Sequence, residues 1–574
     1  MSNNTSKSLL SGAFIFLLLG SWACQNAEQK TYDAYNYRQE KHVKVKEAAV
    51  ASAHPLASAV GKSILEQGGN AIDAAIAVQY ALAVVYPGAG NIGGGGFMVI
   101  HSASGEETTF DYREKAPGSA SRDMYLDSLG NAIPSKSRDG HLASGVPGTV
   151  AGLFQAHAKF GKLPMEALIQ PAIDLANEGF RLTEREAKSL NKAQEDFIKY
   201  NQTPIAFVKD QPWAAGDTLI QKDLGATLER IRDKGKAGFY EGKTAALVVE
   251  EMQRGGGIIS LEDLKGYQAE ERAPVVFDYK EYQILTMGLP SSGGVMQQQM
   301  LGMLEDYPIA DYGHNTPEAV QLMTEIERRA FADRTEYMGD PDFVDVPVSA
   351  LVDKAYLKSR MEDYDPGHPT PSTAVKPGLT LKESEETTHL SVVDGEGNAV
   401  SVTTTLNGVY GSRVVVGGAG FLLNNEMDDF SAKPGAPNKF GLLGTEANKI
   451  EPQKRMLSSM TPTIVLKDGK PYLVLGTPGG STIITSVFQT LVNLLEFDLS
   501  VDDAVNKPKF HHQWMPDIIE VEKGFPDSTR NALTAMGYKI TERSSIGRTE
   551  VIKITPEGVE AVADHRGDDS AAGF

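Results

Sequence analysis

The stretch Glu385-Glu386-Thr387-Thr388-His389-Leu390-Ser391-Val392-Val393 places two adjacent threonines directly before an apolar run. A threonine hydroxyl is a weak nucleophile until a base takes its proton. Cleavage between Glu386 and Thr387 would give Thr387 a free α-amine, and an amine with a pKa of about 7.7 is a competent base near neutral pH. The competing interpretation is that two β-branched residues simply begin a strand. The local sequence favours an ordinary strand, so motifs elsewhere in the chain are needed to decide whether Thr387 is a nucleophile.

The segment before the threonine pair has the composition of a loop. From Tyr364 to Glu386 it carries Pro366, Pro369, Pro371 and Pro377 among glycine, serine, threonine and lysine. Such a composition predicts an exposed loop. A cleavage site at the end of a loop is physically sensible, because the loop can move away once it is cut.

Hydrophobic periodicity predicts helices and strands in separate parts of the chain. Helical spacing runs from Ala57 to Val85 with a break at Gly68-Gly69-Asn70, and Thr316-Pro317 begins a helix to about Arg334. The predicted hairpins join 390–393 to 399–403 and 463–466 to 472–475, and Ser481 is predicted to cap a helix from about Ile483 to Phe497. This arrangement suits a layered α+β domain.

Composition and charge are typical of a soluble globular protein and argue against one class of partner. The chain has 574 residues, of which 41% are hydrophobic and 23% charged, as in ordinary soluble globular proteins. A net charge of −20 argues against nucleic acid as a partner, because the phosphate backbone would be repelled.

No cofactor or metal motif is complete. Gly61-Lys62-Ser63 resembles the end of a P-loop, but Leu56 stands where the leading glycine should be. The glycine run at 93–96 lacks the spacing of a dinucleotide fingerprint. The pair His511-His512 has no further ligands at metal spacing, which favours a structural role. We therefore expect neither a cofactor nor a metal ion.

The N-terminus is predicted to be an export signal, residues 1–24. Lys7 precedes an apolar run from Leu9 to Leu19 that is short for a transmembrane span. The only cysteine, Cys24, follows this run, so either a lipid on Cys24 or simple secretion fits. Both place the protein outside the cytoplasm, in the periplasm or cell envelope, and a lipid on Cys24 would be its only membrane attachment. A single cysteine excludes an internal disulfide.

Longer motifs on both sides of Thr387 carry a resemblance to a known family. After Thr387 they are Thr387-Thr388-His389, Thr403-Thr404-Thr405-Leu406-Asn407, Leu423-Asn424-Asn425-Glu426-Met427-Asp428-Asp429-Phe430-Ser431, Met456-Leu457-Ser458-Ser459-Met460-Thr461-Pro462 and Gly476-Thr477-Pro478-Gly479-Gly480-Ser481. Before it they are Asn91-Ile92-Gly93-Gly94-Gly95-Gly96-Phe97-Met98, Phe110-Asp111-Tyr112-Arg113-Glu114-Lys115-Ala116-Pro117 and Pro290-Ser291-Ser292-Gly293-Gly294. From about residue 47 onward the chain resembles the γ-glutamyltranspeptidases (glutathione hydrolases), which are N-terminal-nucleophile hydrolases.

The resemblance implies a fold and a processed precursor. The implied fold is the four-layer αββα sandwich of the N-terminal-nucleophile hydrolases, built from two fragments of one precursor. After the signal, a polar leader would span 25–46, the large subunit 47–386 and the small subunit 387–574, and the two subunits would remain together as a heterodimer. The implied substrates are small γ-glutamyl compounds, and the acceptors are water, amino acids or peptides.

The resemblance also implies residue roles. Thr387 would be the nucleophile and its α-amine the base, Thr405 would orient the nucleophile, and Gly479 and Gly480 would form the oxyanion hole. Arg113, Ser458 and Ser459 would bind the substrate α-carboxylate, while Asn407, Glu426 and Asp429 would receive the α-ammonium. Read alone, Arg113, Glu426 and Asp429 also fit solvated surface positions, and Asn407 and the Gly479-Gly480 pair also fit ordinary turns.

Two residues depart from the family pattern. Glu426 stands where many bacterial members carry glutamine, which makes the amine pocket more anionic. Phe440 stands in the lid loop where tyrosine is frequent, so a hydroxyl is lost there.

Two other functions remain open at this stage. One is an acylase acting on β-lactam side chains, against which Arg113 and the acidic amine pocket argue. The other is an inactive surface lipoprotein that only binds amino acids or peptides; it predicts a damaged nucleophile or glycine turn, and neither is damaged.

Overall fold

Two stacked β-sheets form the centre of the protein, and Thr387 begins a strand of one of them. The computed structural model describes residues 32–375, 387–431 and 446–574. In chain order the strands are β1 (His42–Val45), β2 (Ala49–Ser52), β3 (Gly95–His101), β4 (Glu107–Asp111), β5 (Phe180–Arg181), β6 (Thr218–Leu219), β7 (Glu270–Arg272), β8 (Val275–Tyr279), β9 (Tyr282–Thr286), β10 (Thr387–Val393), β11 (Ala399–Thr405), β12 (Thr463–Lys467), β13 (Lys470–Gly476), β14 (Phe510–His511), β15 (Ile519–Glu522), β16 (Ile540–Arg543), β17 (Glu550–Thr555), β18 (Gly558–Val562) and β19 (Ser570–Gly573).

The helices lie mainly before β10 and after β13. They are α1 (Pro55–Glu66), α2 (Ala71–Val85), α3 (Pro134–Arg138), α4 (Thr149–Phe160), α5 (Met165–Glu178), α6 (Glu184–Tyr200), α7 (Lys222–Lys234), α8 (Ala237–Tyr240), α9 (Gly242–Gly255), α10 (Leu261–Gly266), α11 (Gly293–Leu304), α12 (Ile309–Tyr312), α13 (Pro317–Tyr337), α14 (Val348–Leu351), α15 (Lys354–Arg360), α16 (Thr482–Leu495), α17 (Val501–Asn506) and α18 (Asp527–Met536). Short 3-10 turns span His141–Ala143 and Glu426–Asp429.

The two main sheets have seven strands each. Their orders are β1-β18-β17-β13-β12-β9-β8 and β19-β2-β10-β11-β3-β4-β7, and neighbouring strands in both are antiparallel. The sheets stack with β13 against β10 and β11; helices α1 and α2 cover the second sheet, and α11 and α16 cover the first. The predicted four-layer αββα sandwich is confirmed.

Side chains along β10 alternate between two environments, as the pleat of a strand requires. Leu390 and Val392 belong to the apolar cluster beneath α1 and α2. His389 and Ser391 point toward the other sheet, where Ser391 Oγ donates to the backbone oxygen of Glu550 at 3.5 Å. Thr387 has the same parity as His389 and therefore lies on the face between the sheets.

Both main sheets contain strands from both sides of the predicted cleavage site. Strands β10 and β11 lie between β2 and β3, and β12 pairs with β9. Cutting the chain before Thr387 would leave these ladders of hydrogen bonds in place. The two fragments would therefore stay together without a covalent link.

Most predicted local elements are present, because their signals are local. The helices α1 and α2 are separated at the predicted break, where Asn70 and Asp73 form a capping box. Thr316 caps α13, whose first residue is Pro317. Both predicted hairpins form.

Three local predictions need correction. Ser481 precedes α16 but does not cap it, since its hydroxyl bonds instead to Gln513 Oε1 at 2.7 Å. The leader was predicted to end at residue 46, yet β1 pairs with β18, so the folded part begins earlier. The predicted exposed loop is correct for most of residues 364–375, but Ser372 and Val375 are buried, and Ser372 donates to the backbone oxygen of Trp514. Residues 376–386 of that loop lie outside the described residues.

Neither a membrane-spanning helix nor a metal-binding cluster is found among the described residues. No helix there is both long and apolar enough to cross a bilayer. No group of three histidine, cysteine or acidic side chains in those ranges could hold a metal ion.

Candidate functional site

Thr387 stands at the end of the second sheet, beside Thr405 on β11. The two residues are directly opposite in the ladder, and Thr405 in turn pairs with Gly95 of β3. Thr387 Oγ1 donates to Thr405 Oγ1 at 3.5 Å, and the same Thr405 oxygen accepts from the backbone N–H of Asn407 at 2.7 Å. The structure thus brings together the predicted nucleophile and the predicted orienting hydroxyl.

His389 supports the strand beneath Thr387. Its ring nitrogens lie 2.9 Å from Thr403 Oγ1 and 3.0 Å from Ser391 Oγ. Complete burial lowers the pKa of His389 to about 3, so the ring is neutral at physiological pH. Both ring nitrogens are engaged with other hydroxyls, so His389 is not placed to take the proton of the Thr387 hydroxyl.

The glycine turn after β13 lies at the same end of the sandwich as Thr387. Gly476, the last residue of β13, packs so closely on His389 that a Cβ there would lie 2.3 Å from the ring. Beyond it, Gly479 has φ +136° and Gly480 has φ +59°, conformations that favour glycine. Among the described residues, the N–H groups of Gly479 and Gly480 donate no hydrogen bond. They are available to a ligand oxygen, as an oxyanion hole requires.

A second set of glycines brings β3 close to β11. A Cβ on Gly94 would lie 2.1 Å from the backbone oxygen of Thr405. Asn91 fixes this contact, since its Nδ2 donates to that oxygen at 2.8 Å and its Oδ1 accepts from the Gly94 N–H at 3.0 Å. The glycine run at 93–96 therefore shapes the Thr405 end of the site.

Arg113 follows β4 and is buried, with 1% of its surface exposed. Its Nη1 donates to Glu426 Oε1 at 2.8 Å, and its Nη2 donates to Asp429 Oδ2. Nη2 also donates to the backbone oxygen of Leu457 at 3.3 Å, next to Ser458. Arg113, predicted to bind the carboxylate, thus forms one ion cluster with Glu426 and Asp429, predicted to bind the ammonium.

Glu114 belongs to this cluster, although its role could not be predicted from the sequence. Its Oε2 lies 3.7 Å from Arg113 Nη1, and the residue is fully buried. Burial raises the pKa of Glu114 to about 8, although the positive charge of Arg113 acts in the opposite direction. Near neutral pH the Glu114 carboxyl is therefore mostly protonated, and the positive charge of Arg113 is balanced by Glu426 and Asp429.

The loop that carries Asn407 is tied to the loop that carries Glu426. Asn407, at φ +72°, donates from Nδ2 to the backbone oxygen of Asn425 at 2.9 Å. The Gly408 N–H donates to Asn425 Oδ1 at 2.8 Å, and Asn424 Oδ1 accepts from the Glu426 N–H at 3.1 Å. These bonds hold the predicted ammonium-binding groups in fixed relative positions.

The two predicted serine ligands are held by different partners. Ser458 Oγ accepts from the Met460 N–H at 3.1 Å. Ser459 Oγ accepts from Arg334 Nη2 at 3.0 Å, while Arg334 Nε donates to Ser292 Oγ at 2.8 Å. Arg334 could not be identified from the sequence, because it is one of several charged residues on the predicted helix α13.

Other sequence predictions fall outside this site or outside the described residues. His511 Nδ1 bonds with Thr485 Oγ1 at 2.8 Å, which agrees with a structural role. Glu386 and Phe440 lie outside the described residues, as do Leu9–Leu19 and Cys24.

Comparison with known proteins gives the family. A model of the gamma-glutamyltranspeptidase family matches residues 57–574, which include both sides of Thr387. The chain belongs to the γ-glutamyltranspeptidase family.

Individual relatives agree with this assignment. The glutathione hydrolase proenzyme of Escherichia coli (strain K12) is 48% identical over 537 residues, covering 93% of each chain. The crystal structure of Helicobacter pylori gamma-glutamyltranspeptidase covers 57% of this chain and 94% of its own, with 47% identity and a TM-score of 0.56. The crystal structure of cephalosporin acylase from Bacillus halodurans covers 95% of this chain and 98% of its own, with 26% identity and a TM-score of 0.82.

Two enzymatic functions considered from the sequence, γ-glutamyl hydrolysis or transfer and the acylase reaction, still have to be distinguished. The Helicobacter pylori enzyme and the acylase share one architecture with this chain, so the fold alone does not separate the two activities. The residues around Arg113 must make that distinction.

Proposed function

We propose that this protein is a self-processing γ-glutamyl hydrolase and transferase. It cleaves the γ-glutamyl amide of glutathione and related compounds through a γ-glutamyl ester on Thr387. The acyl group passes to water, or to an amino acid or peptide. The observation that carries the proposal is that Thr387 and Thr405 lie at the same end of the sandwich as the glycine turn, whose N–H groups donate no hydrogen bond among the described residues.

Maturation uses the Thr387 hydroxyl against the preceding peptide bond. Thr387 Oγ attacks the carbonyl carbon of Glu386, the C–N bond breaks, and its nitrogen takes a proton to become the α-amine. Water then hydrolyses the resulting ester and restores the hydroxyl. The products are the large subunit, ending at Glu386, and the small subunit, beginning at Thr387.

Catalysis repeats this chemistry on a substrate. The Thr387 α-amine takes the hydroxyl proton as the oxygen attacks the γ-carbonyl carbon, and it then returns the proton to the leaving amine. The N–H groups of Gly479 and Gly480 donate to the oxyanion. Water or an acceptor amine then attacks the ester and releases Thr387.

Substrate recognition follows from the charge balance of the buried cluster. In the described structure Arg113 is paired with Glu426 and Asp429. A γ-glutamyl group brings one carboxylate and one ammonium, so its entry gives Arg113 a new anion and the two acids a new cation. Every buried charge stays paired, which avoids the cost of isolated charges. Ser458 and Ser459 would add hydroxyl donors for the carboxylate.

The same cluster argues against the acylase as the main activity. An acyl group without an α-ammonium would bring an anion to Arg113 and leave Glu426 and Asp429 without the added cation. Buried carboxylates in that state cost several kcal/mol or take up protons. We therefore propose γ-glutamyl compounds, rather than acyl groups without an α-ammonium, as the preferred acyl donors.

The export signal and the lipid on Cys24 remain part of the proposal. An apolar run from Leu9 to Leu19 followed by Cys24 supports export to the periplasm or cell envelope. Mass spectrometry of Cys24 in the mature protein would distinguish a lipid anchor from simple secretion.

Changing the nucleophile tests the proposed function. The wild-type protein should give two fragments, the smaller one beginning with Thr387 by N-terminal sequencing. Thr387→Ala should remain one chain, without hydrolysis of a γ-glutamyl anilide. Thr388→Ala is the matched control and should still split, since the Thr388 side chain lies on the opposite face of β10.

Two results would count against the proposal. Cleavage of Thr387→Ala at the same bond would show that this hydroxyl does not cut the chain. A wild-type protein that stays intact and inactive would favour the lipoprotein that only binds amino acids or peptides.

A further inference from the structure

A cavity of about 200 Å³ adjoins the glycine turn and is lined by arginines. Pro478, Gly479 and Thr482 form one part of its wall. The charged side chains in its lining are Arg185, Arg543, Arg548 and Arg566, and the lining contains no aspartate or glutamate. None of these arginines belongs to the cluster around Arg113.

Arg566 and Arg543 are paired with acidic groups of the protein. Arg566 donates to Glu522 Oε2 at 2.6 Å and to Asp564 Oδ2 at 3.0 Å, and both acids are buried. Arg543 donates to Glu520 Oε2 at 2.8 Å. Their charges are balanced mainly within the protein.

Arg548 is held in place mainly by Tyr86. Its Nη2 donates to the hydroxyl of Tyr86 at 2.8 Å, and its guanidinium lies 5.3 Å from the centre of that ring. Its Nε is 3.8 Å from Asp569 Oδ1, longer than a good hydrogen bond. Arg548 therefore forms a fixed positive wall of the cavity.

Arg185 differs from the other three. Within the described ranges its guanidinium has neither a hydrogen bond nor an ion pair. It is exposed and stands in the first turn of α6, where the helix dipole disfavours a positive charge. This placement costs stability unless an anion binds nearby.

The neighbouring cavity explains where such an anion would go. That cavity also touches Arg185 and Arg548, but its lining includes the acidic residues Glu186 and Asp568. Asp568 is bound by Thr183 Oγ1 and by Gln39 Nε2, both at 2.7 Å. An anion is therefore favoured on the Gly479 side, where the lining carries only positive charge.

We propose that the arginine-lined cavity binds the carboxylate of the peptide or amino acid on the far side of the scissile amide. This inference rests on the proposed function. The leaving nitrogen is bonded to the carbon whose oxygen faces Gly479, so the leaving group must begin beside this turn. A peptide advances about 3.3–3.6 Å per residue, so a carboxylate one or two residues away can reach a cavity that also touches Gly479. A carboxylate on the acceptor would occupy the same region when the reaction runs toward transfer.

The test compares carboxylate and amide partners of the same shape. The donors are γ-glutamyl-alanine and γ-glutamyl-alaninamide; the acceptors are glycylglycine and glycylglycinamide, with a γ-glutamyl anilide as donor. The enzymes are the wild type, Arg185→Gln and the control Arg181→Gln, whose exposed arginine lies outside the lining. The readout is the carboxylate-to-amide ratio of kcat/KM within each enzyme, which is insensitive to the folded fraction.

The wild type and Arg181→Gln should prefer the carboxylate about threefold to tenfold, and Arg185→Gln should lower the ratio to about one, mainly through KM. Added salt should reduce the wild-type preference. Loss of the preference with donors alone assigns the cavity to the leaving group, loss with acceptors alone assigns it to the acceptor, and loss with both assigns it to both.

Three results would overturn the inference while leaving the proposed function intact. They are a wild type without a carboxylate preference, an unchanged preference in Arg185→Gln, and an equal loss in Arg181→Gln. A wild type that cannot hydrolyse the γ-glutamyl anilide would instead overturn the proposed function, and this inference with it.

Discussion

Replacing Arg113 by alanine should weaken both the fold and the activity, because this arginine balances two buried acids. Only 1% of its side chain is exposed, against 1% for Glu426 and 8% for Asp429. Removing one member of a buried ion pair costs about 3–5 kcal/mol, since the remaining charge stays buried without its partner. The loss of a bidentate contact with the substrate should lower kcat/KM by about 30- to 900-fold, equivalent to roughly 2–4 kcal/mol.

A double-mutant cycle separates the structural effect from the catalytic one. Glu426→Gln removes one of the two acids, so Arg113→Ala combined with Glu426→Gln should be more stable than Arg113→Ala alone. Activity should not return in the double variant, because the substrate carboxylate still lacks its arginine. Arg113→Lys should lose less stability than Arg113→Ala, because it keeps a point charge without the planar fork.

The assays are thermal unfolding of the mature protein and hydrolysis of a γ-glutamyl anilide. If Arg113→Ala unfolds at the wild-type temperature and keeps wild-type kcat/KM, the argument from the buried cluster is refuted. If the double variant is no more stable than Arg113→Ala, then Glu426 is not an unpaired charge in the single variant.

Three further predictions concern the glycine turn, the buried His511 and the amine pocket. Gly479→Ala should reduce kcat about 100- to 1,000-fold by displacing the turn, because the added Cβ would lie 2.4 Å from Thr482 Oγ1 at φ +136°. The control is Gly469→Ala, at φ +72° in an open hairpin turn, which should strain the backbone without this loss of kcat. Equal kcat values in the two variants would contradict the oxyanion-hole assignment. Burial lowers the pKa of His511 to about 3 in the folded state, below the unfolded value of about 6.5. Between pH 3 and pH 6.5 the unfolded state therefore binds more protons, and the free energy of unfolding falls as the pH drops through 6.5. From pH 7 to pH 5 this group should cost about 2 kcal/mol, and a His511→Gln variant whose unfolding midpoint falls as steeply as that of the wild type would disprove it. N-acetylated γ-glutamyl donors should react poorly, since they leave Glu426 and Asp429 without an ammonium. Asp429→Ala should lose most of the activity, while Glu426→Gln should lose less. Comparable kcat/KM values on free and N-acetylated donors would favour the acylase function instead.

Local sequence determined the elements that hold the site. Helix breaks, caps and hairpin turns depend on a few neighbouring residues, so the boundary at Asn70 and the hairpin after Val393 follow from the sequence. The nucleophile itself was also predictable, because an N-terminal threonine needs only its own amine as a base. The longer motifs, by their resemblance, added the sandwich and the set of binding residues.

The tertiary structure decided which of these residues meet, and in what state of charge. Arg113 lies more than 300 positions before Glu426 and Asp429 in the chain, and only the tertiary fold brings it to them. The proton on Glu114 depends on complete burial, and the lone charge of Arg185 depends on a cavity built from α6 and the glycine turn. Burial and cavities are properties of packing between distant segments, and local patterns do not encode them. The sequence by itself therefore determined the nucleophile and the local elements, while the structure alone decided the charge balance around them.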